Sequence, residues 1–161
     1  MRERRQSLGH GWSTGCLALL LVLGSARAVA AADICGYPEK GVMVVNREGR
    51  EVGAFRVGLA ESRRQHRRGL MGCPRLTPGS GLLFIFGEAD QRVFWMKDTP
   101  LELAIIFAAP DGRVKAIARG EPYSTRAIHS PDGIQYVLEI DSAEADRIRI
   151  GDRLVIQVIP D

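Results

Sequence analysis

Trp95 and Lys97 stand two residues apart in the stretch Val93-Phe94-Trp95-Met96-Lys97-Asp98-Thr99. Read as a strand, it puts Val93, Trp95, Lys97 and Thr99 on one face and Phe94, Met96 and Asp98 on the other. A lysine on so apolar an element must reach water or meet an acid, because an unpaired buried ammonium is strongly destabilising. Its candidate partners are Asp98, Glu102 and Glu139. Together with Arg68 and Thr99, these side chains describe a small pocket with an aromatic wall and a cation, suited to a carboxylate, phosphate or sugar. The competing reading is a structural ion pair at a strand end, with Trp95 in the core. Arg68 divides in the same way: a cation is favoured at the end of a short helix, and the same guanidinium can bind an anion.

Other chemistry is sparse. His129-Ser130 invites a nucleophile, yet it lies in the long Gly120–Gly133 connection with neither a Gly-x-Ser-x-Gly elbow nor a placed acid. Gly79-Ser80-Gly81 is too short for a phosphate loop. Arg63, Arg64, His66, Arg67 and Arg68 form a basic cluster that reads as a solvated helix face or as a site for an acidic partner. Beyond the first 32 residues the cysteines are Cys35 and Cys73. An isolated pair in an oxidising compartment reads as a disulfide, closing a loop of about 39 residues worth roughly 4 kcal/mol. The alternative is a reactive Cys73 thiol near Arg67 and Arg68. With only His66 and His129 to add, a zinc site lacks ligands, and neither metal nor cofactor is expected.

The elements that must position these groups are mostly strands. Val42–Val45 and Val52–Leu59 flank the turn Arg47-Glu48-Gly49-Arg50 as a hairpin. Ser62-Arg63-Arg64-Gln65 has the form of a capping box and opens a short helix ending near Gly69. Leu82–Phe86 and Leu103–Phe107 are apolar at consecutive positions, so both of their faces are expected to be covered. Arg113–Ala118, Tyr136–Ile140 and Leu154–Ile159 complete the strands, and Asp141 with Glu144 caps a second short helix through Arg147. This pattern predicts one mainly β domain, a compact antiparallel sandwich or barrel with two short helices.

Residues 1–32 have the layout of a cleaved export signal. Arg2, Arg4 and Arg5 precede the apolar run Cys16–Leu23, and small residues lead to Ala30-Ala31-Ala32. The run is far short of the ~20 residues of a membrane span, so no stable span is expected after cleavage. Cys16 precedes the run, which disfavours a lipidated N-terminus, while Arg4-Arg5 leaves twin-arginine export open beside ordinary secretion. The leader holds four arginines and one glutamate, the whole formal net charge of +3. Residues 33–161 balance 18 basic against 18 acidic groups. A neutral, periplasmic or secreted domain has no general field to draw in nucleic acid.

Three stretches carry more than a generic core pattern: Arg68-Gly69-Leu70-Met71-Gly72, Gly81-Leu82-Leu83-Phe84-Ile85-Phe86 and Phe94-Trp95-Met96-Lys97-Asp98-Thr99-Pro100-Leu101. With Asp111-Gly112-Arg113-Val114, Val137-Leu138-Glu139 and Gly151-Asp152-Arg153 following in order, the chain resembles the DUF192 family of uncharacterised bacterial and archaeal proteins from about Val42 to Val158. The resemblance implies a compact, jelly-roll-like β domain and no activity. The chain departs from the family pattern at Asp98, where asparagine is usual, and at Cys73, where a large or basic residue is common. Around Glu102-Leu103-Ala104 a family aspartate is missing, which leaves Glu102 or Asp98 to stand in. Three functions follow as expectations: a non-catalytic binding module for a small polar or anionic ligand in the cell envelope, an envelope hydrolase or lyase using Lys97 with a nearby carboxylate or His129, and a purely structural envelope protein.

Overall fold

The computed structural model describes residues 33–158, and the expected leader lies outside the described residues. The chain opens with β1 (Asp33–Ile34), β2 (Tyr37–Arg47) and β3 (Arg50–Ala60). β2 and β3 form the expected hairpin, Arg47 paired with Arg50 across Glu48-Gly49, both of which have positive φ. The helix α1 (Arg63–Arg68) then leads to β4 (Ser80–Asp90), which pairs with β3 in parallel. A parallel pair requires a crossover, and this one carries α1 and the Gly69–Gly79 segment over one face of the sheet.

β5 (Val93–Phe94), β6 (Leu103–Ala108), β7 (Val114–Gly120), β8 (Ile128–His129), β9 (Ile134–Asp141) and β10 (Arg153–Val158) follow. The main sheet runs β1-β2-β3-β4-β9-β6-β7, with β10 on β2, and every pair except β3–β4 is antiparallel. β5 and β8 form a separate two-stranded ribbon. The fold is mainly β and sandwich-like. The sheet curls without closing: its ends meet at one bridge, Arg113 with Arg153, flanked by Val114 N–H to Asp152 O and Leu154 N–H to Gly112 O, both 2.8 Å. Asp152 is buried there and accepts from Arg47 Nε at 2.8 Å and from Arg149 N–H at 2.8 Å.

Alternation divides the core into two. Met43, Val45, Phe55, Leu83, Ile106 and Leu138 point into the concave face, which Ala145, Ile148 and Leu154 plug. Leu82, Phe84, Ile105, Phe107 and Val137 point the other way, under Leu70, Cys73 and Met96. All six residues of β6 are buried, as its consecutive apolar run predicts. Burying one such side chain contributes roughly 1.5–3 kcal/mol. The disulfide Cys35–Cys73 ties β1 and the Gly69–Gly79 segment together.

Two expected elements differ. The helix after Asp141 is a single 3-10 turn, Ser142–Glu144, and does not reach Arg147. Asp141 caps it through Ala143 N–H at 2.9 Å, but the chain then tightens into further short turns, Ala145 to Ser142 and Ile148 to Ala145. These turns place Ala145 and Ile148 in the core. The strand at Val93 stops after Phe94. Met96 N–H turns to Ser124 O at 2.9 Å, and Thr99 N–H closes a turn on Met96 O at 3.1 Å, with Asp98 at φ 53°. Val93, Trp95, Lys97 and Thr99 therefore do not share a strand face.

Candidate functional site

The crossover and the turn after β5 leave a cavity of about 330 Å³ between them, above β4 and β9. Its first wall is the end of α1. Ser62 caps this helix with its hydroxyl toward Gln65 N–H at 3.3 Å, and Gln65 Oε1 accepts Ser62 N–H at 2.9 Å, completing the expected capping box. Gly69, at φ 46°, ends the helix with its N–H on Gln65 O at 2.9 Å. Helix and turn bring Arg67, Arg68 and Leu70 to the cavity.

Arg68 is exposed but held in place. Its Nη2 donates to Cys35 O at 2.8 Å, and its guanidinium lies 5.2 Å from the centre of the Tyr37 ring. Tyr37 is buried, which raises its hydroxyl pKa, and that hydroxyl donates to Gln65 O and Gly69 O at 3.2 Å. His66 Nε2 lies 3.0 Å from Ala60 O and 3.1 Å from Ile85 O. Carbonyls only accept, so Nε2 carries the hydrogen.

The second wall is aromatic. Phe94 meets Phe84 edge-on at 5.1 Å, and Phe86 lies 4.4 Å from the His66 ring. Trp95 is 48% exposed at the mouth. Arg92 stacks its guanidinium 4.1 Å over Phe86 and is tied back to the Glu88 and Ile134 carbonyls. Thr99 is buried in the same lining, its hydroxyl donating to Lys97 O at 3.2 Å.

The floor is Glu139, on the central strand β9 and 4% exposed. Its cross-strand neighbours are Leu82 and Ile105, and its Oε2 has no hydrogen-bond partner. Burial raises its carboxyl pKa from 4.5 to about 8. The acid is therefore neutral at pH 7, able to donate as well as accept.

Four of the six residues singled out in the sequence, Arg68, Trp95, Thr99 and Glu139, converge on this cavity. Lys97 and Glu102 are not in its lining. Lys97 is exposed, with its ammonium 5.5 Å from the centre of the Trp95 ring, so of the two alternatives it takes the first and reaches water. Glu102 is exposed as well, accepting the Ser142 hydroxyl at 2.8 Å and lying 3.8 Å from Arg119. Ser130 is buried, and its hydroxyl accepts Arg92 N–H at 2.8 Å and donates to Pro131 O at 2.7 Å, which ties the long loop to β5. No three His, Cys, Asp or Glu side chains among the described residues gather as a metal site. His66 and Arg67 come from the basic cluster, whose alternatives are a solvated face and a site for an acidic partner. Arg92 is an addition that sequence reasoning missed, because it precedes its strand without any motif.

A model of the DUF192 family, described as "Uncharacterized ACR", matches residues 43–156. Among solved structures, the chain is 34% identical to a Sinorhizobium meliloti protein provisionally labelled a transcription regulator. That match covers 74% of this chain and 95% of the other, with a TM-score of 0.69. A Novosphingobium aromaticivorans protein of unknown function is 32% identical over 81% of this chain and 94% of its own, with a TM-score of 0.70. No match is found among curated proteins.

Proposed function

The chain belongs to the DUF192 family, which carries no assigned activity, and from its cavity we propose that it is a non-catalytic binding protein for a small anion with an apolar body. One observation carries the reading: aromatic walls and the guanidinium of Arg92, stacked on one of them, belong to a single cavity that Arg67 and Arg68 also line. Rings supply most of a small ligand's burial, and a few charged groups fix its orientation. Guanidinium groups match a carboxylate or phosphate through paired donors. A cation of the same shape meets like charge at the mouth.

Basic, apolar and small segments in residues 1–32 support work in the cell envelope, periplasmic or secreted. The balanced charge of residues 33–161 supports a small-molecule partner over nucleic acid. Among the described residues no helix is long and apolar enough to cross a membrane. The separation of Lys97 and Glu102 from the cavity weighs against an enzyme built on that pair.

Calorimetric titration with phenylacetate and with phenethylamine tests the proposal. Phenylacetate is expected to bind the wild-type protein and to lose about tenfold in affinity in Arg92→Ala, whose guanidinium lies over a ring of the cavity wall. Equal binding of the amine, or no binding of either, would reject it.

A further inference from the structure

Two carboxylate oxygens among the described residues are buried without a partner, one on Glu139 and one on Glu144. The Glu144 side chain is already engaged, because its other oxygen accepts Gly79 N–H at 2.7 Å. Glu139 differs. It lines the cavity, Leu82 and Ile105 flank it on the neighbouring strands, and its free Oε2 lies beneath Gly69. A methyl group built on Gly69 would stand 3.9 Å from that oxygen and 3.3 Å from Phe84 Cζ. A side chain at Gly69 would thus press on Phe84 and pack onto the acid.

We infer that the cavity takes a bifunctional ligand, an aryl carboxylate whose buried end carries a hydroxyl group received by Glu139 while its anionic end meets the arginines. The inference rests on the binding function proposed above and names the ligand class. An apolar inner end would leave Oε2 without a partner, and unpaired buried polar atoms are costly. A hydroxyl at that depth satisfies it, since it can donate to the carboxyl oxygen or accept from the protonated acid. An ionic inner group is disfavoured, because burial at Glu139 penalises charge and no charged group acts on its carboxyl. The cavity volume suits one ring with two short substituents. Sites built around a buried hydrogen bond reject the analogue that lacks it more strongly than apolar pockets reject a missing methylene.

The test is titration of the purified protein with benzoate, 3-hydroxybenzoate and 4-hydroxybenzoate, in wild type, Glu139→Gln and Glu139→Leu. At least one hydroxybenzoate is expected to bind wild type about 10-fold to 100-fold more tightly than benzoate. Glu139→Leu should erase that preference, bringing benzoate and both hydroxybenzoates to within about threefold of one another, and Glu139→Gln, which still donates and accepts, should keep most of it. Thermal melts of each variant establish that it is folded. Equal affinities in wild type, or a preference that survives Glu139→Leu, would overturn the inference and leave the binding proposal standing. Failure of all three compounds, in a protein that also ignores phenylacetate, would bring down both.

Discussion

Raising the pH from about 5 to about 9 is expected to destabilise the folded protein through Glu139. Burial keeps its carboxyl protonated up to about 8, against an ordinary value of 4.5. Below 4.5 the folded and unfolded chains both hold the proton, so Glu139 adds no pH dependence. Between 4.5 and 8 the unfolded chain has released a proton that the folded chain retains. Stability then falls as the pH rises, by about 1.4 kcal/mol per unit. Across the interval the loss reaches roughly 5 kcal/mol, and above 8 the curve flattens because both states are ionised. That loss is a large share of the roughly 5–15 kcal/mol that holds a typical domain together. The assay is urea denaturation of wild type and Glu139→Gln across this range, with the disulfide intact. Glutamine does not titrate, so the difference between the two proteins cancels the histidines and every other shared group. The wild-type protein should lose ground to the variant steadily up to about pH 8. Parallel stability profiles would refute the reasoning, since Glu139 would then titrate alike in both states.

Reduction of Cys35–Cys73, or the double change to serine, should cost about 4 kcal/mol for a bridge spanning 38 residues; denaturation with and without reductant measures it. Ser62→Ala removes one half of the capping box and should destabilise by about 1 kcal/mol, read from denaturant midpoints at unchanged slope. Asp152→Ala strips the partner of Arg47 where the sheet ends meet and the acceptor of Arg149 N–H, and about 1–2 kcal/mol should be lost. The hydrogen bond from Arg47 lowers the Asp152 pKa, so its contribution is present above the ordinary carboxylate range and is lost as the pH falls through the lowered value. Asp152→Ala should therefore flatten the acid limb of the stability profile.

The parts of the fold legible in the sequence are those set by local rules. Strand periods located β4, β6 and β9, Ser62 and Gln65 announced the helix start, and two cysteines beyond residue 32 pointed to one bridge. The parallel pairing of β3 with β4 was hidden, because apolar runs do not state which strands become neighbours. Convergence of Arg68, Trp95, Thr99 and Glu139 depends on that crossover, although each residue was individually conspicuous. Lys97 misled because period-two reasoning assumes continued strand, and the chain turns at Asp98 with φ 53°. Glu102 found Ser142, forty residues away in sequence, for which spacing provides no signal. Glu139 was visible as an acid inside Val137-Leu138-Glu139-Ile140. The burial of its carboxyl emerged only with its neighbours, Leu82 and Ile105, in place.

Chemical-shift mapping of the isotope-labelled protein during titration with 4-hydroxybenzoate tests the central claim, that the cavity beneath α1 is a ligand site. Saturable shifts are expected, concentrated at Gly69, Leu70, the Trp95 indole, Thr99 and Glu139. Shifts centred on the separate groove at Pro110, Gly112 and Leu154, or none at millimolar ligand, would contradict it.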